Sequence, residues 1–156
     1  MTCTKLFRRN VAIVVLNTEG HLLACRRSDR FHTWQLPQGG IEEGETEEAA
    51  MYRELREEIG TDLVDIIGRL EEPIRYDWPE HLYYRGYHGQ EQSYFLVRLR
   101  PQAEICLETE EPEFDCAEWV TVGEFFSRLD AGFKTDAYRQ AIDELLLRYP
   151  GTVKED

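Results

Sequence analysis

Residues 39–61, GGIEEGETEEAAMYRELREEIGT, contain eight glutamates together with a complete set of helix start and stop signals. Thr46 is a favourable N-cap residue, and Glu47 and Glu48 in the following turn complement the helix dipole. Gly60 is a favourable C-cap residue because glycine readily adopts a left-handed conformation. These signals predict a helix over residues 46–59.

The predicted helix brings three carboxylates to one face. At 100° per residue, Glu54, Glu57 and Glu58 fall within an arc of about 100°, beside an apolar stripe. Like charges at this spacing destabilise a helix by a few tenths of a kcal/mol per pair. Two interpretations account for them: a solvated face balanced by Arg53 and Arg56, or a site for a hard divalent cation such as Mg²⁺.

The rest of the chain mixes strands and helices. Strands are predicted at 10–16, 21–26, 63–70, 73–76, 93–99 and 117–122, with further helices at 122–129 and 136–149. Residues 78–92 are predicted to form a long loop that overhangs a site. The order of these elements indicates an α+β fold, an α/β/α sandwich with a mixed β-sheet between helices.

Composition narrows the possible functions. The 156 residues suit one domain spanning 1–156, and no apolar run is long enough to span a bilayer. The N-terminus lacks a secretory signal pattern, so we expect a cytoplasmic protein with reduced cysteines. The net charge of −13 disfavours long nucleic acid and excludes DNA as an expected partner. A polyanionic substrate would therefore need local capture by divalent cations or by arginine, which outnumbers lysine 15 to 3.

The spacing within residues 39–61 resembles the signature of the Nudix hydrolases, G-x5-E-x7-R-E-U-x-E-E-x-G-U, where U is aliphatic. Gly39 is followed by Glu45 and then by RELREEIG at residues 53–60. Only Thr61 departs from the pattern, which places an aliphatic residue there. The resemblance implies a mixed sheet between helices and Mg²⁺-dependent hydrolysis of a nucleoside diphosphate linked to another group.

The resemblance also implies roles for individual residues. Glu54, Glu57 and Glu58 would bind Mg²⁺, with Mn²⁺ or Zn²⁺ as alternatives. Glu54 or Glu57 would act as the general base. Arg53 would orient a glutamate, Glu45, through an ion pair. The glycines at 39 and 40 would let the chain turn under the helix.

Further blocks between residues 8 and 140, including WQLPQGG, HGQEQ and PEFD, resemble the branch that contains bacterial RNA pyrophosphohydrolases and plant-type diadenosine tetraphosphate hydrolases. In that branch Glu113 would be an additional metal ligand. The residues implied to bind substrate are Arg8, Arg27, Gln38, Gly39, Gly40, Gln90, Gln92, Phe133 and Lys134. Arg8 and Phe133 would sandwich a nucleobase, and Arg27 and Lys134 would contact phosphates.

Two substrates follow from this resemblance. The first is the 5′-triphosphate end of RNA, from which pyrophosphate would be removed to leave a 5′-monophosphate. The second is a dinucleoside polyphosphate, such as diadenosine tetraphosphate, cleaved to ATP and AMP. Glu91 and Ser93 stand where RNA-acting relatives tend to have lysines, which favours the smaller substrate. A monomer that does not bind membranes is expected in either case.

Overall fold

A computed structural model describes residues 5–29, 31–129 and 133–156, and for Phe133 only the backbone. The strands are β1 (Phe7–Leu16), β2 (Leu22–Arg27), β3 (Trp34–Gln35), β4 (Gln38–Gly40), β5 (Val64–Arg69), β6 (Ile74–Asp77), β7 (Gly89–Leu99) and β8 (Phe114–Val120). The helices are α1 (Glu47–Ile59), α2 (Val122–Arg128) and α3 (Phe133–Arg148), with a 3₁₀ turn at Glu80–Leu82.

The sheet is mixed. Strand β1 pairs in parallel with β7 over its whole length, from Phe7 opposite Gly89 to Leu16 opposite Arg98. The other pairings are antiparallel: β2 and β4 lie beside β1, β5 and β6 lie beside β7, and β3 and β8 lie beside β2. The two short strands β3 and β4 are not among the strands predicted from the sequence. They form because neighbouring strands supply their hydrogen-bond partners.

Strand β1 contributes side chains to both faces of the sheet because successive residues alternate. Ala12, Val14 and Leu16 join a core with α2 and α3, whereas Val11 and Ile13 join a core with α1. Both faces of the sheet are therefore covered by helices. The predicted α/β/α sandwich is confirmed.

Helix α1 begins and ends where the capping residues predict. The Thr46 side chain accepts a hydrogen bond from the Ala49 N–H at 3.1 Å, and Gly60 adopts φ 75°. A Cβ at Gly60 would lie 2.6 Å from the Cys106 carbonyl oxygen, so close packing also requires glycine there. The apolar stripe of α1 is buried against the sheet, which stabilises the fold by roughly 1.5–3 kcal/mol per large side chain.

Within the described ranges, none of the helices is both long and apolar enough to cross a membrane. The segment predicted as a long loop contains the 3₁₀ turn and a tight bridge between Tyr84 and Tyr87. Strand β7 starts earlier than predicted, at Gly89. It does so because it pairs with both β1 and β6.

Candidate active site

A cleft of about 1160 Å³ lies where the start of β1, strand β4 and helix α1 meet three loops. The loops contribute residues within 28–33, 78–82 and 112–113, and the first turn of α3 closes one side. Its walls include Arg8, Asn10, Arg27, Phe31, Gln38, Gly39, Gly40, Glu54, Glu57, Trp78, His81, Gln90, Glu113 and Lys134. Residues from distant parts of the chain thus converge on one depression.

Arg53 organises the acidic side of this cleft. Its guanidinium donates to Glu45 at 2.7 and 2.9 Å, to Glu54 at 2.7 Å and to Glu57 at 3.2 Å. It also donates to the Gly40 carbonyl oxygen at 2.8 Å. The hydrogen bonds from Arg53 lower the pKa of Glu45 to about 2, and those bonds in turn raise the pKa of Arg53. One arginine therefore fixes three carboxylates and the end of β4.

Glu58 is a buried carboxylate that is only partly satisfied. The Gln38 N–H donates to its Oε1 at 3.0 Å, whereas its Oε2 has no hydrogen-bond partner among the described residues. Burial raises the pKa of Glu58, and the carboxylates of Glu113 and Glu54 raise it further. Burial likewise raises the pKa of Glu54. These carboxylates lie close enough to repel one another, and a bound cation would relieve that repulsion.

The two glycines of β4 permit close approaches that a side chain would block. A Cβ on Gly39 would lie 2.0 Å from Glu54 Cδ, and a Cβ on Gly40 would lie 2.3 Å from Arg8 Nη2. The two residues lie in a strand paired with β1, opposite Val11 and Asn10, and do not form a turn. The sequence-based expectation of a turn at these glycines is therefore wrong. The need for glycine comes from the Glu54 carboxylate and the Arg8 guanidinium.

Cationic and aromatic side chains flank the acidic wall. The Arg8 guanidinium lies 6.0 Å from the Tyr84 ring centroid, and that of Arg27 lies 5.5 Å from the Phe31 ring centroid. Lys134 lies in the first turn of α3, where burial lowers its pKa and the charge of Arg27 lowers it further. These groups can attract phosphate or stack on a flat ring.

Comparison with known proteins decides the family. The NUDIX domain family matches residues 6–143. The chain belongs to the Nudix family. It is 43% identical over 144 residues to the RNA pyrophosphohydrolase of Campylobacter jejuni subsp. jejuni serotype O:2, covering 88% of this chain and 92% of that protein. It is 40% identical over 145 residues to the RNA pyrophosphohydrolase of a Nitratiruptor species, covering 89% and 93%.

Solved structures share this Nudix fold. The E. coli dihydroneopterin triphosphate pyrophosphohydrolase superposes with a TM-score of 0.72 at 22% identity, covering 92% of this chain and 99% of that chain. A C. elegans Ap4A hydrolase binary complex superposes with a TM-score of 0.68 at 18% identity, covering 91% and 99%.

The acidic residues of the Nudix signature have different surroundings. Glu54 and Glu58 are buried, whereas the Glu57 side chain is 57% exposed. Among residues 5–29, 31–129 and 133–156, no three His, Cys, Asp or Glu side chains already form a metal-binding group. The buried free oxygen of Glu58 nevertheless fits a cation, because an unpaired buried carboxylate is otherwise costly. Hard divalent cations prefer such oxygen ligands.

The three predicted glutamines occupy unequal places. Gln38 and Gln90 line the cleft, and Gln90 Nε2 donates to the Tyr76 hydroxyl at 2.9 Å. Gln92 is 1% exposed, and its amide bonds to Asn10, Gln38 and Tyr94. The prediction that Gln92 contacts substrate is therefore not supported, since burial leaves its amide no access to the cleft.

Other predictions concern residues around the cleft. Phe133 begins α3, and its side chain lies outside the described residues. Thr61 is buried, and its hydroxyl accepts a hydrogen bond from the Leu63 N–H at 3.2 Å, so this polar group is satisfied where the family pattern has an aliphatic residue. Sequence reasoning did not identify Asn10 as a cleft residue, and for Trp78 and His81 it predicted only a loop that overhangs a site. They lie in a strand and a loop without a recognisable motif, so only the fold brings them to the site.

Proposed function

We propose that this protein is a divalent-cation-dependent pyrophosphohydrolase that removes pyrophosphate from the 5′-triphosphate end of RNA. The observation that carries the proposal is the buried Glu58 carboxylate with one free oxygen, in an acidic group that shares a cleft with Arg8, Arg27 and Lys134. An acidic metal-binding wall facing cationic groups suits a polyphosphate. The RNA pyrophosphohydrolase names of the curated relatives support RNA as the substrate.

Glu54, Glu57, Glu58 and Glu113 would hold the cation, for which Mg²⁺ is the first choice. When bound, a divalent cation supplies charge neutralisation for the non-bridging phosphate oxygens and activation of a water molecule. Arg53 keeps Glu54 and Glu57 in place through its hydrogen bonds.

Hydrolysis breaks the bond between the α phosphorus and the oxygen that bridges to the β phosphate. Water supplies the new oxygen on the α phosphate, and pyrophosphate leaves with the bridging oxygen. Glu54 or Glu57 accepts the proton from water, a role that suits the raised pKa of Glu54. Arg27 and Lys134 bind the phosphates, and Arg8 stacks on the first base.

A direct assay tests the proposal. Purified protein with Mg²⁺ should convert 5′-triphosphorylated RNA to 5′-monophosphorylated RNA and release pyrophosphate. Glu57→Gln should abolish turnover while the thermal unfolding midpoint stays unchanged, because the Glu57 side chain is largely exposed. Glu48→Gln, at an exposed position of the same helix, should keep full activity. A fully active Glu57→Gln variant would remove that residue from the reaction.

A second candidate activity is the cleavage of dinucleoside polyphosphates. The net charge of −13 favours it, because a short polyanion is repelled less than a long one. Glu91 stands where RNA-acting relatives tend to have a lysine, and its carboxylate pairs with Arg75 at 2.7 Å. This position therefore supplies no cation for a long RNA. Side-by-side values of kcat/KM on 5′-triphosphorylated RNA and on diadenosine tetraphosphate decide between the two. A larger value on RNA supports the first activity, and a larger value on diadenosine tetraphosphate supports the second.

A further inference from the structure

A buried chain of hydrogen bonds leads from the core to the cleft and ends at Gln38. The Tyr138 hydroxyl, on α3, donates to Gln38 Oε1 at 2.7 Å, and Gln92 Nε2 donates to the same oxygen at 3.1 Å. Gln92 Nε2 also donates to Asn10 Oδ1 at 3.0 Å, and the Tyr94 hydroxyl donates to Gln92 Oε1 at 2.6 Å. The side chains of Tyr138, Tyr94 and Gln92 are each no more than 1% exposed. The chain is thus shielded from competing water.

In this chain of hydrogen bonds, it is fixed which group donates and which accepts. Burial raises the pKa of both Tyr94 and Tyr138, so both hydroxyls stay protonated and able to donate. Tyr94 occupies Gln92 Oε1, which leaves the Gln92 amide nitrogen to donate to Gln38. Two donors then meet at Gln38 Oε1. A reversed Gln38 amide would place its own N–H groups against these donors, which the network disfavours.

Fixing the Gln38 oxygen inward leaves its NH₂ group for the cleft. Gln38 lines the cleft, and the hydrogen bonds between its side chain and other described residues are both made at Oε1. The Gln38 backbone N–H donates to Glu58, so this residue joins the buried network to the acidic wall. Phosphate oxygens only accept hydrogen bonds, and a carboxamide NH₂ is their complement. An amide facing the other way would present an acceptor to an anion.

We propose that Gln38 binds a phosphate oxygen of the substrate through its NH₂ group, and that Tyr138 is the positioning residue that sets the orientation of this amide. The inference rests on the proposed function for the identity of the substrate. It adds to that function a role for a tyrosine that does not line the cleft. It also assigns a role to Gln92, which supplies the second donor to Gln38, and to Tyr94, which fixes the orientation of the Gln92 amide.

Tyr138→Phe tests the proposal by removing one oxygen atom. Loss of one hydrogen bond that holds Gln38 should raise KM for 5′-triphosphorylated RNA about 5-fold, with kcat little changed. Tyr149→Phe is the matched control. The Tyr149 hydroxyl bonds the Arg69 backbone at 3.4 and 3.5 Å, and its ring packs against the same core cluster. This control should leave KM unchanged.

A double-mutant cycle separates positioning from general loosening of the core. Gln38→Ala should also raise KM, and adding Tyr138→Phe to it should cause no further rise. A wild-type KM in Tyr138→Phe would overturn the proposal. An equal rise in KM from Tyr138→Phe in the wild-type and Gln38→Ala backgrounds would also overturn it, because the tyrosine would then act independently of the amide.

The same double-mutant cycle can be measured without turnover, by calorimetry of inorganic triphosphate binding in the presence of Mg²⁺. The expected result is a Kd about 5-fold weaker in Tyr138→Phe and no further change when Gln38 is already alanine. If the wild-type protein binds triphosphate with this pattern but does not hydrolyse RNA, the proposed function fails and the role of Tyr138 stands. If the wild-type protein does not bind triphosphate, the phosphate contact of Gln38 is refuted.

Discussion

The Arg53 guanidinium donates two hydrogen bonds to the Glu45 carboxylate, 2.7 Å from Nε to Oε2 and 2.9 Å from Nη2 to Oε1. The pair is largely buried, at 16% and 14% exposure. This bidentate ion pair fixes the plane of the guanidinium, and the orientation of that plane directs Nη1 to Glu54 and Glu57. Glu45 therefore positions two proposed metal ligands through Arg53.

Arg53→Lys should lower kcat about 100-fold, because an ammonium cannot bind Glu45 and the ligand carboxylates in one fixed plane. The measurement is turnover of 5′-triphosphorylated RNA under saturating conditions. Arg56→Lys is the control, since Arg56 is exposed and donates to Asp62 at 2.7 Å. It should retain near wild-type turnover, and equal losses in both variants would contradict a special role for Arg53.

Gly39→Ala should lower activity at least about 10-fold, because the added methyl group would occupy the space of the Glu54 carboxylate. Glu54 cannot easily move away, since Arg53 holds it. Gly123→Ala, in α2, is a suitable control: the nearest atom to its Cβ would be 3.3 Å away, and alanine favours helix. Full activity of Gly39→Ala would show that Glu54 can shift without consequence.

Glu58→Gln should stabilise the metal-free protein by about 1 kcal/mol, because it removes a buried charge with one unsatisfied oxygen. The same substitution should abolish turnover and reduce the stabilisation that Mg²⁺ gives the wild-type protein. Thermal unfolding with and without Mg²⁺ measures both effects. Glu57→Gln, at an exposed side chain, should leave metal-free stability unchanged. Destabilisation of the metal-free protein by Glu58→Gln would contradict this explanation.

The Arg53–Glu45 pair should contribute to acid resistance. Because the folded pKa of Glu45 is about 2 and its unfolded value is about 4.3, the pair stabilises the fold fully above the unfolded value. This contribution declines as pH falls toward the folded pKa. The difference in free energy of unfolding between wild type and Glu45→Gln, measured with urea, should therefore be smaller at about pH 3 than at about pH 7. An equal difference at both pH values would contradict the shifted pKa, and exposed Glu43→Gln should show no difference at either.

Sequence patterns of short range predicted helix α1 well. Its bounds, caps and apolar stripe depend on residues within a few turns of one another, and the structure agrees at Thr46 and Gly60. The same is true of the sandwich class, which follows from the order of strands and helices. From the sequence, Glu47 was expected to interact only with the helix dipole. It instead pairs with Arg69 and Arg9, because β5 and β1 lie beside the first turn of α1.

The cleft depended on contacts that no local pattern contains. Glu113 and Lys134 reach the site from a loop and a helix far along the chain, and their meeting with the acidic face of α1 follows from the order of strands in the sheet. The difference between Gln38 and Gln92 also could not be read from the sequence. Both residues are glutamines in the sequence, but Gln38 lines the cleft and Gln92 is buried in the core.

The sequence by itself determined the helix, the spacing of its glutamates and the membership of the Nudix family, because these are properties of residues close together along the chain. Only the tertiary structure decided that Glu58 is buried with a free oxygen, that Gly39 makes room for Glu54, and that Tyr138 directs Gln38. Burial and amide orientation are set by the side chains that pack around a group. Those side chains come from distant parts of the chain.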